Sequence, residues 1–224
     1  MMALFKHKWC ISGGKDSSAM IIRAKEIGMK IDEILFADTG NEFPEVYDYL
    51  FRLEDFLGME ITRLKPKTTW DDWFFGKATR GKHKGKMRGW PMVVYGCWWH
   101  REAKFKVLDR ACKPDMRYIG IAFDETKRLR VKPLYHYPLA EWGWKESDCL
   151  DYLKKKGMAA DIHTKFKRTG CYLCPKQSKK SLLTLCRCYP KLWKKMMAYN
   201  EIKPFPNFNL KKIELESKVG DILI

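Results

Sequence analysis

Long apolar runs are missing from this sequence. Nowhere do its 224 residues reach the roughly 18 consecutive apolar positions that a membrane-spanning helix needs. No Ser/Gly-rich or Pro-rich stretch is long enough to be a linker, so one domain over residues 1–224 is expected. A signal peptide does not fit the first residues, because Lys6 and Lys8 interrupt them and a loop motif begins at Ser12. A cytoplasmic protein with no membrane partner follows. Internal repeats and low-complexity segments are also missing. Acidic residues are in short supply, 27 against 44 Lys and Arg, for a net charge of +17. A field of that sign attracts polyanions, either nucleic acid or a phosphorylated small molecule, or else serves only to keep the surface solvated.

Cysteine is well represented, at positions 10, 97, 112, 149, 171, 174, 186 and 188. In a cytosolic chain of this size such residues are metal ligands, reactive thiols or plain core. Cys10, Cys112 and Cys149 fall in strand or helix patterns and read as core.

The pattern along the chain predicts a strand over 4–11, a helix over 17–27 capped by Gly28, and a buried strand over 33–37. A helix over 44–57 follows, with Val46, Tyr47, Leu50, Phe51 and Leu53 inward and Gly58 at its end. Further strands are expected over 59–64 and 117–123, and a helix over about 99–112. Residues 65–98 form a long stretch rich in Trp, Gly, Lys and Arg, and from about 145 the chain is mostly helical with a break at 168–175. Strand and helix in alternation specify an α/β fold with a doubly wound parallel sheet and a helical C-terminal part.

Ser12-Gly13-Gly14-Lys15-Asp16-Ser17 lies between the first strand and the first helix. Backbone N–H groups of such a turn cradle phosphate oxygens, and the helix dipole adds to the attraction. Gly13 and Gly14 permit the sharp turn, Ser12, Ser17 and Ser18 bring hydroxyls, and Lys15 brings positive charge. Asp16 would repel a phosphate and instead suits a Mg²⁺ ion that bridges phosphates. Neither the Walker A nor the Rossmann glycine spacing is present.

This loop resembles the PP-loop of the N-type ATP pyrophosphatases. Four further segments, in order, resemble the phosphoadenosine phosphosulfate (PAPS) reductase-like branch of that superfamily. They are Asp38-Thr39-Gly40, the run Gly120 to Arg128, the Pro138-Leu139 to Trp144 run, and Gly170-Cys171-Tyr172-Leu173-Cys174-Pro175. The resemblance implies an adenine nucleotide alpha hydrolase-like fold that binds ATP with Mg²⁺ and splits it between the α and β phosphates. It implies that the loop from Ser12 to Ser18 holds the β and γ phosphates. Backbone at Phe36 would meet the adenine, and Asp38, Thr39, Gly40, Gly120 and Asp124 would lie by the nucleotide. Arg101 and Lys104 would form a basic pair near the phosphates, with Lys15, Asp16 and Lys104 as the catalytic set.

Two departures matter. Reductases of that branch carry a nucleophilic cysteine in a short C-terminal tail, and no cysteine follows Cys188 here. The position of a family cysteine before the basic helix looks like Trp99, with Cys97 two residues earlier.

Cys171 and Cys174 have the spacing of two thiolates that share a metal or a cluster. Cys97 is the third ligand that the resemblance supports, and Cys188 or Cys186 the fourth. A 4Fe-4S cluster is what the resemblance favours, with Zn²⁺, a redox dithiol or free core thiols as the other readings. Residues 77–88 hold six Lys or Arg, with Trp70, Trp73, Phe74, Phe75 and Trp90 around them. That composition suits tRNA or DNA, or a solvated loop over core aromatics. His83 in that loop reads as solvated.

The sequence therefore points first to an enzyme that adenylates and activates a substrate, in sulfur transfer that extends to nucleic acid. The alternative is a sulfate-assimilation enzyme, like the small subunit of ATP sulfurylase or a PAPS or APS reductase. A catalytically silent nucleotide-binding regulator is disfavoured by the intact loop.

Overall fold

The structure is a computed structural model, and it describes residues 5–93 and 96–220. The chain alternates as expected at first: β1 (His7–Ile11), α1 (Lys15–Glu26), β2 (Glu33–Ala37), α2 (Pro44–Leu57) and β3 (Ile61–Leu64). Next come α3 (Trp70–Phe75), the antiparallel pair β4 (Met92–Val93) and β5 (Gly96–Cys97), and α4 (Trp98–His100). A π-helical turn, Arg101–Phe105, joins α4 to α5 (Lys106–Cys112), and β6 (Met116–Ile119) follows. A 3₁₀ turn (Phe123–Arg128), β7 (Tyr135–His136), α6 (Pro138–Glu141) and α7 (Glu146–Lys155) lead into α8 (Asp161–Lys165), α9 (Lys179–Cys188), α10 (Pro190–Ile202) and α11 (Leu210–Gly220).

The main sheet has the order β3-β2-β1-β6-β7, and every pairing in it is parallel. A parallel sheet needs cover on both faces, and the residues of β1 and β2 supply it by alternation. Trp9, Ile11, Ile34 and Phe36 enter the large core, while Cys10 and Leu35 form a second, smaller cluster with Cys112 of α5. This is the α/β, doubly wound arrangement the sequence pattern predicted, with a helical C-terminal part. Cys10, Cys112 and Cys149 are all buried, as expected.

The chain runs outward from β1 to β3 and returns to β6 on the other side of β1. The C-terminal ends of β1 and β6 therefore flank the point where strand order reverses, the place where open α/β sheets bind ligands.

Helix α2 buries Val46, Tyr49, Leu50, Leu53 and Leu57, a stripe at helical spacing, and ends at Gly58 in the left-handed conformation. Phe51 was expected inward but is 58% exposed, because it sits off that stripe. The predicted strand over 117–123 ends at Ile119, since the chain leaves the sheet at Gly120 and Phe123 begins the 3₁₀ turn. The strand expected over 59–64 starts only at Ile61, and the helix expected from 17 already starts at Lys15. Residue 4 of the first expected strand lies outside the described residues.

The 65–98 stretch is anchored by aromatics. Trp70, Phe74 and Trp90 pack with Tyr199 of α10, and Trp90 also meets Phe205. Among the described residues no helix is long and apolar enough to cross a membrane.

Candidate nucleotide site

The loop between β1 and α1 is built from its own side chains. Ser17 Oγ accepts the Ser12 backbone N–H at 3.0 Å and donates to the Gly14 carbonyl at 3.1 Å. Ser12 Oγ lies 3.1 Å from Ser17 Oγ. These hydroxyls are used to close the loop, and Ser18 is fully buried. The N-cap of α1 is Gly14, with no side-chain cap, so the helix N-terminus offers bare N–H groups to an anion. Gly13 has φ +70°, and a Cβ there would stand 2.7 Å from Val46 Cγ1. Only glycine satisfies both the conformation and the packing.

His163, which carried no sequence signal, supports the loop from below. It is 5% exposed, and its Nε2 lies 2.9 Å from the Gly13 carbonyl. Its Nδ1 accepts the Ala160 N–H at 3.3 Å, so the proton resides on Nε2 and is donated to Gly13. Burial holds this imidazole below its ordinary pKa, in keeping with the neutral form.

At the mouth of the loop Lys15 Nζ lies 3.2 Å from Asp16 and 3.4 Å from Glu146. Asp16, Glu125 and Glu146 bring carboxylate oxygens within 4.8 Å of one another. The Asp16 carboxyl is raised above its ordinary value, first by burial, then against the pull of Lys15 by Glu146 and Glu125. Asp16 Oδ1 is buried, and its one neighbour of opposite charge is the Lys15 ammonium at 3.2 Å, without hydrogen-bond geometry. An all-oxygen donor set with excess negative charge and spare acceptor capacity fits a hard divalent cation. Glu125 and Glu146 were not singled out in the sequence. The expected residue, Asp124, is exposed and accepts the Glu146 N–H at 3.2 Å, which orients the start of α7.

Asp38, Thr39 and Gly40 turn the chain at the end of β2. Asp38 Oδ1 accepts the Gly40 N–H at 2.8 Å and the Tyr47 hydroxyl at 2.7 Å. Burial and the Asp38 carboxylate raise the Tyr47 phenol, so it stays a donor. Thr39 Oγ1 donates to Glu42 Oε1 at 2.9 Å, and Lys104 Nζ lies 2.9 Å from the same oxygen. Lys104 is carried on the π turn, a local widening frequent at functional sites. Burial works against its charge, but Glu42 prevails and holds the ammonium above the ordinary lysine value. Arg101, the other residue of the expected basic pair, is exposed, with its guanidinium 5.1 Å from the Trp98 ring centre. Phe36 is fully buried, which leaves only its backbone to face a ligand. At the end of β6 a Cβ on Gly120 would stand 2.7 Å from Ser17 Cα, so strand and loop touch backbone to backbone.

The thiols Cys97, Cys171 and Cys174 share a neighbourhood. Burial raises the Cys174 thiol, and Cys97 raises it further, while Lys176 and Lys104 oppose. Cys171 is pushed well up by burial, then by Glu42 and Cys174. Cys188 is exposed at the last residue of α9, beside Tyr189. Among the described residues, Asp16, Glu125 and Glu146 are the one such trio within 4.8 Å, so the four expected cysteine ligands are not gathered around a single ion.

The basic loop is hairpin-like, with a bridge between Lys77 and Met87, and its Lys82, His83, Lys84 and Lys86 are exposed. Of the flanking rings expected to be available for stacking, Trp70, Phe74 and Trp90 are buried core instead. Trp73 is half-buried and lies under the Arg88 guanidinium at 4.6 Å, while Phe75 is 47% exposed.

Residues 7–85 match the family model of the phosphoadenosine phosphosulfate reductase domain. Over those residues the match agrees with the resemblance that the phosphate loop and the Asp38-Thr39-Gly40 segment carry. Uncharacterized protein MJ0066 of Methanocaldococcus jannaschii is 27% identical over 206 residues, which cover 82% of this chain and 39% of that protein. The chain thus spans well under half the length of this curated relative. The PAPS reductase of Candida auris, solved as a phosphate complex, has a TM-score of 0.53 at 14% identity over 75% of this chain and 82% of that one. That likeness shows a shared fold. The U34-tRNA thiolase NcsA from Methanococcus maripaludis, with its 4Fe-4S cluster, matches more loosely, with a TM-score of 0.42 at 12% identity over 92% of this chain and 73% of that one.

Proposed function

We propose that this chain is an enzyme that binds ATP across the C-terminal ends of β1, β2 and β6 and transfers AMP to an acceptor, releasing pyrophosphate. The acceptor oxygen would bond to the α phosphorus, the bond from that phosphorus to the bridging β oxygen would break, and the acceptor would lose its proton. Such adenylation prepares an oxygen for displacement, which suits sulfur transfer, and the basic surface suits a nucleic-acid acceptor.

The observation that carries the reading is the pairing of an uncapped, glycine-built helix N-terminus with Lys15 and the Asp16–Glu125–Glu146 cluster at its mouth. Bare N–H groups and Lys15 would take the β and γ phosphates. Mg²⁺, held by Asp16, Glu125 and Glu146, would neutralise phosphate charge. Lys15 now faces two carboxylates and would turn to the phosphates when their own charge is met. Gly120 allows the β6 end to lie against Ser17, so the site has no room for a side chain there. Cys97, Cys171 and Cys174 would hold a thiolate-bound iron–sulfur group beside Lys104.

The test is product analysis with α-labelled ATP and Mg²⁺, in the presence of tRNA, DNA or sulfate. Label carried onto the nucleic acid, or released as AMP once the adenylate is displaced, is expected together with pyrophosphate. ADP and orthophosphate would overturn the reading, and a response to sulfate alone would replace it with sulfate assimilation.

A further inference from the structure

A cavity of about 650 Å³ opens beside the candidate nucleotide site and extends well past it. It begins at Asp38, Thr39 and Gly40, so it is continuous with the β2 end of that site. One wall comes from the segment after β3 and from α3, the other from α10. Its volume lies within the range of pockets that enclose small organic ligands.

Its lining is rich in rings, and two buried donors without partners lie in the residues around it. Trp70, Phe75, Tyr172 and Tyr199 contribute aromatic surface. Asn41 is 6% exposed and its Nδ2 has no hydrogen-bond partner, and the same holds for Nε1 of Trp70, which is 5% exposed. Buried donors left without partners are rare and costly. Both donors are sealed from solvent, so the rings of the lining are what an inserted base would meet. Tyr172 donates its N–H to the Asn41 carbonyl at 2.8 Å, so the wall bearing the Cys171 loop is fixed to the Asn41 floor.

The rim carries lysines, with Asp38 and Asp71 as the acidic groups of the lining. Lys65 and Lys195 line the cavity, and Lys191 and Lys194 continue the row on α10. None of these four has a carboxylate partner among the described residues. The 77–88 loop begins two residues after Phe75, and Lys203 at the end of α10 holds it through the Arg88 carbonyl at 2.8 Å. A free mononucleotide needs no such extended positive track, whereas a strand with phosphates on both sides of an inserted base does.

We propose that this cavity is the acceptor pocket and receives one base of a single-stranded or extruded nucleotide, with the neighbouring phosphates on the α10 lysines and the 77–88 loop. This rests on the reading that the acceptor is nucleic acid, and it adds where the acceptor is read. DNA and RNA share the chemistry of base and phosphate and are separated by the 2′-hydroxyl.

The experiment uses fluorescence anisotropy with labelled homopolymer strands of about 12 nucleotides, as DNA and as RNA, each intact and with central abasic sites. Wild-type protein should bind the intact strand about tenfold more tightly than the abasic one, because stacking of the base is lost. Ala198→Trp fills the cavity from an exposed position on α10 and should erase that difference. Phe75→Ala should reduce it several-fold and serves if the tryptophan variant does not fold by circular dichroism. Equal binding of intact and abasic strands by wild type, or an unaltered difference in a folded variant, overturns the proposal. Product analysis is separate: ADP formation would remove the adenylation reading but leave a base-dependent affinity standing. Pyrophosphate release without base dependence would do the reverse.

Discussion

Lys104 Nζ lies 2.9 Å from Glu42 Oε1, and the Glu42 side chain is 1% exposed. The pair joins the π turn to the turn after β2, and Thr39 donates to the same carboxylate. A buried ion pair contributes little net stability when intact, but the loss of one partner strands a charge. Lys104→Met should therefore cost about 3–5 kcal/mol in denaturant unfolding. The Lys104→Met, Glu42→Gln double variant should recover most of it, and no recovery would show the two residues act independently. The lysine pKa is raised in the folded state, so this stabilisation is present at neutral pH and disappears as pH rises through the folded value.

Gly120→Ala tests the contact between β6 and the phosphate loop. The added Cβ would press on Ser17 Cα, which is backbone and cannot rotate away. The expected loss is about 1–3 kcal/mol, with weaker ATP binding by calorimetry. Unchanged ATP affinity would mean that the loop tolerates the shift.

The sheet and its loop were legible because period-two alternation, glycine placement and short apolar runs are local signals. β2 and α2 occupy the ranges that their patterns predicted. What escaped depends on long-range contact. His163 reaches Gly13 across 150 residues, and nothing near it marks the bond. Glu125 and Glu146 meet Asp16 only because the 3₁₀ turn and α7 come together at the loop. β7 is two residues long and has no period to read. The rings of Trp70, Phe74 and Trp90 were ambiguous for the same reason, since only packing decides whether an aromatic serves core or ligand.

The acidic cluster predicts a conflict between stability and activity. Asp16 has a raised pKa in the folded state, so its ionisation opposes folding and the cost appears as pH rises through that raised value. Asp16→Asn removes the charge and should raise the melting temperature of the free protein by a few degrees, about 1 kcal/mol. The same variant should reduce pyrophosphate release about 100-fold or more, since phosphate charge would go unneutralised. A lower melting temperature, or turnover at the wild-type rate, would show that Asp16 is structural.

The thiols make a compositional prediction. Protein purified without oxygen should contain iron, and Cys171→Ser or Cys174→Ser should release it. The neighbouring Lys104 and Lys176 lower the cost of ionising these buried thiols. Zinc in place of iron would select the mononuclear reading, and an absence of both metals with full ATP affinity would make the thiols core residues.

The basic loop predicts how binding depends on salt. Lys82, Lys84 and Lys86 are exposed and have no carboxylate partner among the described residues. Each contact with duplex phosphate steepens the logarithmic salt dependence by about 0.9. Replacing the three lysines with alanine should flatten the slope by roughly two to three units, uniformly across sequences. ATP affinity should change little, because Lys15 and the α1 N-terminus supply that site's positive charge. The loop fold should survive, since its backbone is held by the Arg88 N–H to the Gly76 carbonyl and the Gly85 N–H to the Ala78 carbonyl, both at 2.8 Å. A slope that does not change would mean that the phosphates lie on the α10 lysines alone. Lys191, Lys194 and Lys195 would then be the residues whose removal flattens it.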